Sequence, residues 1–249
     1  MMKRSRSQKL LAVWGSPGSG KTTLAAKLAW HYEKEGFRTA LVFCDWSTPM
    51  LPCMREEGEL SEQHSLGSIF AARRIVPALV EANACQVKGA EQLGLYGLLK
   101  GEYETLYPPV SKRQAEEFLG VLKEQYDVAV LDLTSEVHEQ VLTETGLRKA
   151  DEVVRLLGCE LKSLSFYKSQ LAYLHEETIE DRYFYRVISD VKDQMLAKAM
   201  YQKAAFQLQH TEELVKQWER GDLFGELEEK QSRGYLEGLR ALAEELISE

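Results

Sequence analysis

The sequence predicts an α/β fold: a three-layer sandwich with a mostly parallel central sheet, helices on both faces, and a helical extension at the C-terminus. Three observations predict it. An apolar run, Leu10-Leu11-Ala12-Val13-Trp14, passes through a glycine-rich loop into a helical pattern, Leu24-Ala25-Ala26-Lys27-Leu28-Ala29-Trp30. Two more apolar runs, residues 39–44 and 128–131, each lead into an aspartate, Asp45 and Asp132. Segments of helical period lie between the runs. Short strands that are apolar on both sides are what a parallel sheet covered by helices requires.

Residues 10–14 read as the first, buried strand. The loop that follows, Gly15-Ser16-Pro17-Gly18-Ser19-Gly20-Lys21-Thr22-Thr23, matches G-x-x-x-x-G-K-[ST] in full and lies between strand and helix, the context a P-loop requires. Gly15, Gly18 and Gly20 permit backbone angles closed to other residues. The loop's N–H groups can then turn inward around a phosphate, and the start of the next helix favours the same anion. Lys21 is placed to reach the β- and γ-phosphates and Thr22 to hold Mg²⁺. Ser16, Ser19 and Thr23 complete the expected nucleotide cradle.

Residues 22–35 read as the first helix, with Leu24, Leu28 and Tyr32 one turn apart and Gly36 as the stop. Residues 39–44 form the second strand, which puts Asp45 near a strand's C-terminal edge, where open α/β sheets bind ligands. Residues 46–60 read as a loop containing Pro49 and Pro52. Residues 66–81 read as helical, interrupted or begun again at Pro77. Residues 84–87 suit a short strand; residues 93–96, among several glycines, suit either another strand or irregular loop. Pro108-Pro109 mark a boundary. Ser111 then caps a helix to about Gln125, with Ala115, Phe118, Leu119 and Leu122 as its apolar stripe.

Residues 127–132 read as a buried strand that delivers Asp132 to the Mg²⁺ shell beside the glycine loop, a Walker B arrangement. Asp45 is a further candidate for the metal or for the attacking water. Thr134 and Ser135 occupy the place of a phosphate-sensing switch, or else cap the next helix. Residues 151–157 give another strand, 161–175 a helix, and 182–189 a strand with Tyr183, Tyr185 and Val187 on one face. Beyond Asp190 the character changes: residues 191–218 and 223–247 read as helices. Leu236, Leu239, Leu242 and Leu246 share a face that reads more readily as packing on the chain's own domain than as a partner surface. The expected organisation is a nucleotide-binding domain over residues 1–190 and helices over residues 191–249 packed on it.

Composition bounds the partners. The 249 residues with 44% hydrophobic content suffice for one large domain. A net charge of −8 argues against a broad nucleic-acid surface and against strong attraction to anionic lipid. The four cysteines form no C-x-x-C pair, and the five histidines show no ligand spacing, so a reduced, cytoplasmic chain is expected. The basic start, Lys3-Arg4-Ser5-Arg6, precedes only about five apolar residues, against the ~7–15 of a signal peptide. No stretch approaches the ~20 apolar residues of a transmembrane segment.

With these elements placed, the chain resembles the ParA/MinD group of P-loop ATPases. The resemblance is carried by Gly18-Ser19-Gly20-Lys21-Thr22-Thr23-Leu24-Ala25, Leu41-Val42-Phe43-Cys44-Asp45, Tyr126-Asp127-Val128-Ala129-Val130-Leu131-Asp132 and Ala150-Asp151-Glu152-Val153-Val154. It covers about residues 8–190. It implies Mg²⁺ and ATP as cofactors, catalytic roles for Lys21, Asp45 and Asp132, and a switch that positions or assembles a protein partner through ATP and ADP states. An ATP-dependent homodimer is implied as well. The group's P-loop starts with a lysine that reaches the partner's nucleotide; the aligned position here is Ser16, followed by Pro17. Hydrolysis is therefore expected to be slow or partner-dependent. The asparagine with which the group commonly reads adenine has no counterpart near Ser189-Asp190. DNA and protein both stay open as the thing contacted. Two other functions compete: a P-loop kinase acting on a small molecule, and a nucleotide-binding module with little turnover. A kinase lid would carry arginines, but Arg73-Arg74 and Lys112-Arg113 fit no lid motif and read more readily as solvated helix faces.

Overall fold

The computed structural model describes residues 8–54, 64–138, 140–180, 184–192 and 204–248. The basic start at Lys3-Arg4-Ser5-Arg6 lies outside the described residues. The strands are β1 (Lys9–Gly15), β2 (Thr39–Phe43), β3 (Cys85–Val87), β4 (Ala90–Tyr96), β5 (Val128–Asp132), β6 (Glu152–Gly158), β7 (Tyr185–Val191) and β8 (Phe206–Gln209). They join in one sheet ordered β3-β4-β2-β5-β1-β6-β7-β8. Every neighbouring pair is parallel except β3–β4, an antiparallel edge hairpin.

The helices are α1 (Lys21–Lys34), α2 (Leu51–Met54), α3 (Leu66–Ala71), α4 (Pro77–Ala82), α5 (Lys112–Gln125), α6 (Val141–Lys149), α7 (Leu161–Glu176), α8 (Glu212–Arg220) and α9 (Arg233–Leu246). They cover both faces. On one, Leu24, Leu28 and Tyr32 of α1 meet Leu239, Leu242 and Leu246 of α9 over Leu41, Val130 and Val154. On the other, Phe118 and Leu122 of α5, Leu142 of α6 and Leu174 of α7 meet Trp14, Tyr96 and Leu131. Each fully buried Leu, Val or Phe adds roughly 1.5–3 kcal/mol of transfer free energy. The two layers therefore supply most of the driving force that holds the glycine loop in place. No helix among the described residues is long and apolar enough to cross a membrane.

Several boundaries differ from those the sequence suggested. Residues 66–81 split into α3 and α4, because residues 72–76 cross between them and Pro77 opens α4 at its first turn. Residues 93–96 belong to a strand, with Gly94 where a Cβ would lie 2.6 Å from the Tyr126 hydroxyl. Within residues 46–60, Leu51–Met54 forms one helical turn, and 55–63 lie outside the described residues. The helix expected through residues 191–218 is corrected. Residues 206–209 pair with β7 as an eighth strand, and helix resumes only at Glu212; residues 193–203 lie outside the described residues. Gln and Leu favour helix locally, but Phe206-Gln207-Leu208-Gln209 alternates. Burying Leu208 at the sheet edge overrides local preference. Tyr183 lies outside the described residues, and β7 runs two residues past the expected end at Ser189.

Candidate functional site

β1 is the centre of the site because it is central in the sheet, between β5 and β6. Its last residue, Gly15, lies flat against β6: a Cβ there would sit 1.9 Å from the Leu156 carbonyl oxygen. The chain then turns. Ser19 N–H donates to the Ser16 carbonyl at 3.2 Å, and Gly18 and Gly20 take φ of 73° and 85°. Those left-handed angles would strain any other residue. Gly20 caps α1 with no side chain. The first-turn N–H groups of α1 consequently have no intrahelical acceptor and suit an anion. Thr23 lies in this same turn, half-buried.

Lys21 Nζ donates to the Ser16 carbonyl at 3.2 Å and to Ser135 Oγ at 2.7 Å. It thus bridges the start of the glycine loop and the segment that follows β5. Burial lowers its pKa, while the charges of Asp132, Asp45 and Glu136 act in the opposite direction. Thr22 Oγ1 donates to Asp132 Oδ2 at 2.7 Å. Asp132 ends β5 and is buried; burial pushes its pKa up to about 7, against the Thr22 hydrogen bond and the Lys21 charge, with Asp45 adding a smaller upward push. Near neutral pH this carboxyl is therefore divided between charged and neutral forms unless a cation joins it.

Thr22 and Asp132 suit a Mg²⁺ ion bound mainly through phosphates and water, which needs only one or two protein ligands. Among the described residues no group of three or more His, Cys, Asp or Glu could hold a metal without such help. Ser19 Oγ, inside the loop, is buried with no hydrogen-bond partner, a hydroxyl that a phosphate oxygen would satisfy. Asp45 stands just beyond β2 and is half-buried. Its Oδ1 accepts the N–H groups of Ser47 at 2.8 Å and Thr48 at 3.0 Å. It feels Lys21 and Asp132 through its charge but hydrogen-bonds to neither.

Residues outside the motif complete the frame. Ser16 Oγ donates to Ser163 Oγ in the first turn of α7 at 2.8 Å, and Ser163 donates to Glu160 at 3.3 Å. Ser189 Oγ, near the end of β7, donates to the Ser19 carbonyl. Trp14 Nε1 donates to the Ser135 carbonyl at 3.0 Å, while the ring is buried against Phe166 and Phe184. Sequence reasoning missed Ser163 and Ser189. Ser189 carried a signal in its place at a strand's C-terminal edge; Ser163 carried none. Ser135 does not cap a helix: α6 begins at Val141 after Gln140, and Thr134 shares its hydroxyl with Thr143 at 2.7 Å. Arg73 and Arg74 sit between α3 and α4 rather than on a helix face, near Arg113, and among the described residues no hydrogen bond or ion pair ties the three to the glycine loop.

A family profile described as Nephrocystin 3, N-terminal, matches residues 1–51, a stretch that holds β1, the glycine loop, α1 and β2. No curated protein matches the chain. Among solved structures the chain is similar to a ParA family ATPase from Chlorobium tepidum TLS, with 13% identity, 95% of this chain and 98% of that chain covered, and a TM-score of 0.76. It is similar to the MinC:MinD cell division protein complex of Aquifex aeolicus, with 17% identity, 93% and 95% covered, and a TM-score of 0.70. It is also similar to the septum site-determining protein MinD of Pyrococcus horikoshii OT3 complexed with Mg-ADP, with 13% identity, 95% of each chain covered, and a TM-score of 0.65. At these identities the likeness is one of fold: the architecture is that of MinD and ParA-family ATPases.

Proposed function

We propose that the chain binds Mg-ATP at residues 15–23 and hydrolyses it slowly, as a nucleotide-dependent switch for a protein partner. The observation that carries this reading is the Thr22–Asp132 hydrogen bond at 2.7 Å beside Lys21, at the mouth of a loop with two left-handed glycines. The MinD described with Mg-ADP and the MinC:MinD complex, both of the same fold, support it.

Each residue has a task in this reading. The loop N–H groups and the α1 N-terminus hold the phosphates. Thr22 and Asp132 would hold Mg²⁺, which would supply positive charge to offset that of the phosphates. Lys21 exchanges Ser135 for a phosphate oxygen, so the segment after β5 loses one of its anchors when nucleotide arrives. That exchange is the switch. Asp45 uses Oδ1 to hold its own loop and Oδ2 to orient the attacking water. Among the described residues one cation, Lys21, faces Asp132, Asp45 and Glu136. A site so short of positive charge stabilises a transferring phosphoryl group poorly on its own.

Calorimetry tests the binding and phosphate release tests the turnover. Wild-type protein should bind ATP in a Mg²⁺-dependent way, and Asp45→Ala should bind it without hydrolysis. Wild-type affinity in a folded Lys21→Ala protein would overturn the assignment of the site.

A further inference from the structure

Three arginines are gathered in one place away from the glycine loop. Arg73, Arg74 and Arg113 line a recess of about 750 Å³ on the outer surface of the α3–α5 region. The fold brings them there deliberately in the physical sense that named bonds fix the segment. The Gln114 side-chain amide donates to the carbonyls of Phe70 at 2.8 Å and Ala72 at 3.1 Å, and the Ile75 N–H donates to Glu117 at 3.4 Å. Residues 70–75 are thereby pinned to the start of α5, and Arg73 and Arg74 arrive beside Arg113. Arg113 donates to Glu117 through Nη1 and to the Arg73 carbonyl at 3.5 Å through Nη2. Among the described residues Glu117 is the carboxylate paired within the cluster, so three guanidinium groups share one described counter-charge in a chain whose net charge is −8. Like charges held together oppose folding, and exposed pairs return little. The arrangement is therefore not explained by stability.

We propose that this recess is a second anion site, separate from the glycine loop, for a compact ligand bearing a phosphate monoester or diphosphate group. Guanidinium forks match phosphate oxygens bidentately, which a lysine cannot do. Among the described residues three arginines line the recess, and the acidic balance of the chain disfavours a long polyanion running past it. Two sources share the chemistry: a free small phosphate compound, and a phosphorylated side chain on another protein.

The test uses the full chain carrying Lys21→Ala, which weakens the glycine loop as a competitor. It is titrated with inorganic pyrophosphate, with a phosphoserine peptide, and with a single-stranded oligonucleotide. The same titrations are run with Arg73→Gln and Arg74→Gln added. Both arginines are exposed, so these changes should leave the thermal melt unaltered. Loss of two charge-assisted contacts should weaken pyrophosphate or phosphopeptide binding at least about tenfold. Whichever of the two binds identifies the source. Equal binding with and without the arginines, no binding of either probe, or stronger binding of the oligonucleotide would each overturn the proposal. In otherwise wild-type protein the double change should leave Mg-ATP affinity unchanged, which separates failure here from failure of the nucleotide site.

Discussion

Lys21 meets two opposed demands: burial favours its neutral form, while three nearby carboxylates favour the ammonium. Its bonds to the Ser16 carbonyl and Ser135 hold the charge ready until a phosphate replaces one of them. Lys21→Ala should weaken Mg-ATP binding by roughly 2–4 kcal/mol, about thirty-fold to a thousand-fold, on calorimetry, since it removes charge-assisted bonds in a partly dry site. Asp132 predicts a pH dependence. Its folded pKa of about 7 stands above the ordinary 3.8, so its contribution to stability is fully present below about 3.8 and is lost as pH rises through about 7. Binding a divalent ion requires the charged form. Mg-ATP affinity should therefore fall as pH drops from about 8 to about 6, and Asp132→Asn should flatten that slope in titrations across the range. Lys21, Thr22 and Asp132 were legible in the sequence because phosphate chemistry fixes their spacing and their place after a strand. Ser163 and Ser189 were not, because a serine that holds a loop through one hydroxyl leaves no periodic mark.

Helix α1 is closed locally at its C-terminal end and tied midway to distant chain. At its C-terminal end, Gly36 takes φ of 82° and the Phe37 N–H donates back to the Tyr32 carbonyl at 3.0 Å, a Schellman closure. Midway, buried Lys27 donates to Gln217 of α8 at 2.6 Å and to the Gly225 carbonyl at 2.7 Å. Lys27→Met would leave both acceptors buried and unmet, a loss of about 1–3 kcal/mol that urea unfolding would register. Burial lowers the Lys27 pKa to about 8 from 10.5. Its contribution to stability is thus present above about 10.5 and lost as pH falls through about 8, a slope the Met variant should lack. The strands of the sheet's interior were legible, since β1, β2 and β5 are apolar along most of their length and almost wholly buried. β8 was not: four residues with alternating burial, in a stretch rich in helix formers, become a strand only because β7 offers an edge. Lys27 likewise looked like part of a helical pattern; its role depends on a chain segment nearly two hundred residues away.

At the scale of the whole molecule, the glycine loop is held from several sides, by β6 under Gly15, by α7 through Ser163 and by β7 through Ser189. Ser16 is buried in this frame and carries no charge toward a second copy. The isolated protein should therefore turn over ATP well below the ~1–100 s⁻¹ of kinases. Fast turnover with no change of mass between ADP and ATP on light scattering would count against a switch. Ser16→Ala should loosen the tie to α7 and lower the melting temperature modestly, since one buried hydrogen bond is worth about 1 kcal/mol. The sheet order has a further consequence, for synthesis. β1 pairs with residues 128–132 on one side and 152–156 on the other. β1 therefore has neither neighbour until synthesis reaches residues 128–132, and such distant pairings form slowly. The glycine loop is made early but assembled late. Nascent chains arrested after residue 127 should fail to retain a fluorescent ATP analogue, whereas chains extended through β8 should capture it.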